Sequence, residues 1–408
     1  MSRIAVIGAG ASGLVAAYFA AVNGNEVHIF EKNEKCGKKI YLTGKGRCNI
    51  THKCTACEFL ENVVTNSKFL TSSVYSFSPD DAISFFENGG LRTKTERGAR
   101  IFPVSDKSSD VIRCLETYCN KAGAKFHFNE NVQNISFLNG TISGIITQKG
   151  YFDCAKVIVC TGGLSYPSTG STGDGYKFAK SAGHKIVDCV PALCGLNVKG
   201  TFCKELQGLT LKNVSLTASY QGKAIRSLFG EMLFTHYGIS GPIVLTISSL
   251  INRLDLSKVE LILDLKPALS FEQLDKRLLK DFEANSNKTL FNCLKLLVPV
   301  SLIKILLSRS GLDSTKKVNS VTVEERRRLL TAVKNFVIKI NSLRGFDEAI
   351  ITSGGVDVKD INPKTMESKL IKGLYFCGEV LDLDAFTGGY NLQIAFSTGF
   401  AAGNNIRN

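Results

Sequence analysis

Ile4-Ala5-Val6-Ile7-Gly8-Ala9-Gly10-Ala11-Ser12-Gly13 is a short apolar run that breaks into three glycines at GxGxxG spacing. An Ala-rich helix over residues 14–22 follows, then Val27-His28-Ile29-Phe30, a second buried-type strand that ends on Glu31. Strand, glycine turn, helix, strand and acid are the parts of a dinucleotide-binding βαβ unit. Gly8 serves the tight turn, Gly10 lets backbone approach a pyrophosphate, and Gly13 lets helix and strand pack closely. The helix start, with Ala11 and Ser12, offers free N–H groups and a positive dipole end to phosphates. Glu31 stands 18 residues after Gly13, where a carboxylate accepts hydrogen bonds from ribose hydroxyls.

The length of 408 residues implies two or three domains, and 44% hydrophobic with 21% charged residues is the balance of a soluble globular protein. No apolar stretch is long enough for a membrane helix, and the first strand lacks a signal-peptide cleavage site, so a cytoplasmic protein is expected. The 13 cysteines are then mostly reduced thiols. Cys54 and Cys57 form a single CxxC beside His52; zinc needs about four ligands, so surface thiols and no metal are expected. The net charge of +14 is uneven. Residues 199–339 hold 22 Lys/Arg and 12 Asp/Glu, a net of +10, against 28 and 24 elsewhere. That excess fits an anionic partner such as RNA, or a solvated basic surface; charge alone does not choose.

After Glu31 come Lys32, Gly37-Lys38-Lys39 and Thr43-Gly44-Lys45-Gly46-Arg47-Cys48-Asn49. This ground faces the cofactor in a βαβ protein, so Lys38, Lys39 and Arg47 are candidates to touch pyrophosphate or a substrate anion; the alternative is a basic surface loop. Helices are expected over 79–88 and 105–121, a strand over 125–128, and a hairpin begun by Val132 that turns at Asn139-Gly140. A buried strand, 157–160, ends at Thr161-Gly162-Gly163. Asp174 opens a helix and reads as its cap more than as a catalytic acid. Residues 191–268 alternate over short distances and read as a small antiparallel barrel or sandwich, resumed at about 344–353. Residues 269–343 are basic and helical in period. A strand then ends at Gly378-Glu379, and Gly388-Gly389 open a last helix with Tyr390, Asn391, Leu392 and Gln393. N–H groups at such a start stabilise negative charge on a bound cofactor.

Gly37-Lys38-Lys39 followed by Thr43-Gly44-x-Gly46-Arg47-Cys48-Asn49 resembles the BaiN/RdsA-type (YhiN-like) NAD(P)/FAD-dependent oxidoreductases. The likeness extends through Phe102-Pro103, Thr161-Gly162-Gly163, residues 170–175, Phe234-Thr235, residues 238–242 and residues 354–393. Lys45 departs from it, standing where a third small residue is expected. The resemblance implies a Rossmann-like two-dinucleotide-binding FAD fold in pieces, 1–190 and 354–408, with an inserted barrel and an inserted helical domain. It implies one FAD, contacted by Gly8, Gly10, Ala11, Ser12, Gly13, Glu31, Lys32, Lys38, Lys39, Gly46, Arg47, Val132, Thr161, Gly162, Gly163, Gly378, Glu379, Gly389, Asn391, Leu392 and Gln393. NAD(P)H is implied as a transient donor, with hydride passing from flavin N5 to an activated C=C. The implied substrates are a steroid-type enone or a uridine of large-subunit ribosomal RNA. Arg47, Cys48, Asn49 and Tyr390 are the catalytic candidates, with Asp174 a further proton donor. An FAD-dependent amine oxidase and a non-catalytic RNA-binding flavoprotein are the other classes these features allow.

Overall fold

The run at Ile4 forms the strand Arg3–Ile7, buried on both faces at the centre of a five-stranded parallel sheet. That burial explains why the sequence there is continuously apolar rather than alternating. The sheet order is Leu374–Phe376, Lys156–Val159, Arg3–Ile7, Glu26–Glu31 and Lys125–Phe128, so strands from both ends of the chain share one sheet. The structure, a computed structural model, describes residues 2–407. Its first unit comprises the chain up to Ala192 and from Phe346; the second is Leu193–Gly345.

In the first unit the opening helix, Ala11–Val22, carries the closing helix, Tyr390–Asn405. The two approach at glycine: a Cβ on Gly399 would lie 2.5 Å from the Ser12 carbonyl oxygen, and one on Gly403 2.3 Å from that of Ala16. The hairpin turns at Asn139 and Gly140, both at positive φ, joining Val132–Leu138 to Thr141–Thr147. Pro79–Asn88 starts behind a Ser78/Asp81 capping box.

The second unit is a closed antiparallel barrel of Leu196–Val198, Gly238–Ser240, Lys223–Phe234, Thr210–Tyr220, Val259–Asp264 and Phe336–Leu343. Between its last two strands lie the helices Phe271–Ala284, Leu290–Leu294, Val300–Ser310 and Val323–Lys334. Two boundaries differ from the sequence reading. Phe336–Leu343, read as helical, is the sixth barrel strand: Phe336, Ile338 and Ile340 face inward at a period of two. The expected return to the barrel at 344–353 does not occur. Ile351–Val356 pairs instead with Ile186–Ala192 in the first unit. Gly354 and Gly355 lie within that strand rather than turning it, because a Cβ on them would strike the Asp188 and Val380 carbonyls at 2.4 and 2.6 Å. All thirteen cysteines are free thiols. Among the described residues no group of acids, His and Cys is placed to hold a metal ion, and no helix is long and apolar enough to cross a membrane.

Candidate functional site

Two helix starts define the site. The opening helix begins behind Gly10, with no side-chain cap and no acid in its first turn. A Cβ on Gly8 would meet the Cys160 carbonyl at 2.6 Å and one on Gly13 the Gly8 carbonyl at 1.9 Å, whereas one on Gly10 would meet nothing within 4 Å. Two glycines tighten the turn and the third faces open space, where the fingerprint places a pyrophosphate. The closing helix begins behind Gly389, at φ +100°, again uncapped and free of first-turn acids. Gly399 faces Ser12 and Gly403 faces Ala16, so the helices run the same way at their contact. The closing helix therefore starts on the order of 12 Å beyond the opening one, at 1.5 Å per residue. Two uncapped positive ends staggered in this way suit a ligand with a charged middle and a ring that gains negative charge on reduction.

Glu31 is fixed at the mouth of the turn. One carboxylate oxygen accepts the Ala9 N–H at 2.9 Å; the other accepts the Asn33 N–H and side-chain amide at 2.9 and 2.7 Å. One lone pair, on the oxygen that accepts Ala9, remains for a ribose hydroxyl. Gly378, at φ +75°, closes on the same place: a Cβ there would lie 2.6 Å from Ser12 Oγ. Gly162 is left-handed against Ser171, Thr161 turns its buried Oγ1 toward Gly175, and Val132 is buried opposite Thr147.

The cations expected at the phosphates are held elsewhere. Lys32 Nζ donates to Thr172 Oγ1 at 2.6 Å and to Asp174 at 2.8 Å. Lys38 Nζ donates to Glu34 at 2.7 Å and to Asn33 at 3.0 Å. Lys39 Nζ donates to Ser165 Oγ at 2.6 Å and to Glu379 at 2.5 Å. Asp174 is not the cap, which is Gly173, but the first helical residue. Burial raises its pKa, yet the Lys32 and Thr172 hydrogen bonds outweigh this and hold it below the ordinary value, so it is an anion rather than a proton donor. Glu379 is a hub: its other oxygen accepts Ser165 Oγ at 2.6 Å and the Thr352 N–H at 2.9 Å. Gly163 makes room, since a Cβ there would lie 2.5 Å from Thr352 Oγ1. Ser165 and Thr352 had escaped notice in the sequence; only the run Gly162-Gly163-Leu164-Ser165 hinted at the first.

The amides of the last segment are internal as well. The Asn391 side chain accepts the Ala385 N–H and donates to its carbonyl, bracing the loop before the closing helix. Gln393 is fully buried between Thr51 Oγ1, the Phe77 carbonyl and Ser397, and Leu392 packs on the core. These two amides build the helix start instead of reaching for a ligand.

The catalytic candidates separate. Arg47 lies over the Phe102 ring at 4.3 Å, hydrogen-bonds Asp106 through Nε at 2.8 Å, and pairs with Glu96. Lys94 joins the cluster through Asp106 at 2.6 Å. Its donors thus engage protein carboxylates, not a substrate carbonyl. Cys48 has φ +59° and is wholly buried, and burial pushes its thiol up to about 12. Tyr390 stacks on His52 at 4.8 Å and leans on Phe59 at 5.4 Å, and burial lifts its phenol to about 12. His52 as the ring beneath Tyr390 had no local sequence signal. Asn49 keeps a buried Oδ1 with no hydrogen-bond partner, an acceptor waiting for a donor. Gly46 borders open space, and Lys45 projects to solvent from a left-handed turn at φ +57°, a position a glycine takes without strain.

The open face of Gly10, the two uncapped helix starts, fixed Glu31 and orphaned Asn49 fit an FAD. Comparison with known proteins agrees. A family model, HI0933-like protein Rossmann domain, matches residues 2–405. The chain is 32% identical, over 99% of its length and 98% of the relative's, to a 3-dehydro-bile acid delta(4,6)-reductase of Clostridium scindens. It is 30% identical, over 97% and 96%, to a ribosomal RNA dihydrouridine synthase of Haemophilus influenzae. Its fold is similar to that of a 3-ketosteroid-delta4-(5alpha)-dehydrogenase from Rhodococcus jostii, with a TM-score of 0.53 and 14% identity over 99% and 96% of the two chains. The chain therefore belongs to the HI0933-like family, flavoprotein oxidoreductases of Rossmann type that include the BaiN/RdsA-type enzymes.

Proposed function

We propose that this protein is an FAD-dependent reductase of a C=C bond activated by a carbonyl, fed by NAD(P)H as a transient donor. The observation that carries the reading is the full-length likeness to two relatives, one named a reductase of a 3-dehydro-bile acid and one a synthase of dihydrouridine. An enone and a uracil ring both hold a C=C polarised by a carbonyl, so one chemistry serves both. FAD, when bound, supplies the hydride from its N5 atom.

The chain does the rest. Backbone N–H groups from Gly10 to Gly13 would hold the pyrophosphate, and Glu31 would accept from the adenosine ribose. The start of the closing helix would stabilise negative charge on the ring, and the unpartnered Asn49 Oδ1 would accept a hydrogen bond from the bound group. Adding hydride to one carbon requires a proton at the other. We assign that proton to Tyr390, the phenol at the start of the closing helix, whose ring is stacked on His52.

The 30% identity to a ribosomal RNA dihydrouridine synthase favours a uridine of ribosomal RNA as the substrate, and the basic excess of residues 199–339 fits that reading. A steroid-type enone is the second reading, favoured by the 32% identity to the bile-acid reductase. Dihydrouridine in ribosomal RNA from a deletion strain decides between them: its loss supports the first. Unchanged dihydrouridine, with NAD(P)H consumed on adding free enone to purified protein, supports the second.

A further inference from the structure

We propose that a cleft in the second unit binds the phosphodiester backbone of an RNA strand; this rests on the reading of the substrate as a uridine in RNA. The cleft, of about 510 Å³, is lined by Arg309, Arg327, Arg328, Thr331, Asn335 and the strand start at Phe336. No carboxylate lines it.

The charge there is uncompensated, unlike that of neighbouring cations. Arg277 pairs with Asp281, Lys316 with Glu325, Arg326 with Asp275 and Lys334 with Asp264. Among the described residues the three cleft arginines pair with no acid. Arg309 donates to the Val337 carbonyl at 2.6 Å and is held between the rings of Phe336 and Phe202, at 3.7 and 4.8 Å. Arg328 Nε donates to the Ser310 carbonyl at 2.8 Å. Bonds to carbonyls and rings orient a guanidinium without neutralising it, leaving the rest of its planar fork for phosphate oxygens. Arg327 is exposed. On the helix Val323–Lys334 the face with Leu329, Leu330 and Val333 is buried, while Arg327, Arg328 and Thr331 stand outward with Asn335 just beyond its end.

Three cations and two neutral polar groups along a cleft of this size match successive phosphates better than one small anion. An uncharged enone gains nothing from them. Phosphate contacts of this kind set the position of a strand and leave reading of the base to the catalytic site.

Binding of a fluorescently labelled ribosomal RNA stem-loop to the full-length flavoprotein, measured by anisotropy across a salt series, tests the proposal. Arg327→Glu is the clean variant, because its side chain supports no packing. It should weaken binding roughly tenfold and reduce the slope of log K against log salt by about 0.7–0.9. Lys280→Glu, the same charge change on an exposed helix position outside the cleft, should do much less. Flavin content and turnover of a free enone should be unchanged in both. Equal weakening by the two variants, or no effect of Arg327→Glu on an RNA that the parent binds, would overturn the cleft and leave the uridine reading standing. No RNA binding by the parent, together with unchanged dihydrouridine in the deletion strain, would remove both.

Discussion

At the scale of single residues, the three glycines of the first turn do separable work. Gly13→Ala places a Cβ 1.9 Å from a carbonyl oxygen and should lower the thermal midpoint of the flavin-free protein markedly. Gly10→Ala places its Cβ in open space and should leave that midpoint nearly unchanged while weakening FAD binding, read by flavin fluorescence on titration. Glu379→Gln should cost about 1–3 kcal/mol in chemical denaturation, because a largely buried charge-assisted set of hydrogen bonds is weakened. Tyr390→Phe should slow turnover by about 10²-fold or more, with reduction of the flavin by NAD(P)H unaffected. An unchanged rate would reassign the proton donor. Glycines such as Gly8 and Gly13 were legible in the sequence because their reasons are local. The roles of Lys32, Lys39 and Arg47 were not, because their partners Asp174, Glu379 and Asp106 lie 142, 340 and 59 positions away. A cation near a phosphate fingerprint looks like a phosphate ligand until such a partner appears.

At the scale of elements, the close contact of the opening and closing helices sets the stagger of the two helix starts. Gly403→Leu should force them apart, costing about 1–3 kcal/mol as overpacking does and loosening FAD binding with it. Equilibrium unfolding and flavin titration on one variant check both. The small sheet of Thr51–His52, Arg100–Pro103 and Thr93–Glu96 is clipped by charge. Arg47 holds Glu96 below its ordinary carboxylate value, and Lys94 and then Arg47 hold Asp106 down likewise. Groups depressed in the folded state add stability that is present above their unfolded values, near pH 4, and is lost as pH falls through the folded ones. Asp106→Asn should therefore lower the thermal midpoint near neutral pH, and the gap to the parent should close on acidification. A gap that stays constant with pH would point to packing instead. Elements with one clear period were legible, such as Pro79–Asn88 and the Asn139-Gly140 hairpin. Phe336–Leu343 was not, since it follows a leucine-rich helical stretch with no Gly or Pro to mark the change. Ile351–Val356 was not placed either, since its partner strand Ile186–Ala192 is remote in sequence and its glycines answer to backbone contacts outside the strand.

At the scale of the molecule, the chain divides its labour between a unit assembled from both ends of the sequence and an inserted barrel with helices. The first unit could be foreseen because a parallel strand, a glycine turn and an acid form a local signature that the last segment completes. The second could be foreseen as an insertion, but its arginine cleft could not. Arg309 and Arg327 meet there only because the Val300–Ser310 and Val323–Lys334 helices pack together. One FAD held between the two helix starts should pass hydride to a carbonyl-activated C=C. Anaerobic reoxidation of the substoichiometrically reduced flavoprotein tests it most directly, followed by absorbance after mixing with uridine-containing ribosomal RNA or with a free enone. One FAD per chain is expected, with return of the oxidised spectrum on mixing with at least one of these and equimolar saturated product. A protein that binds no FAD, or whose reduced flavin neither substrate reoxidises while oxygen does so at once with release of peroxide, would contradict it.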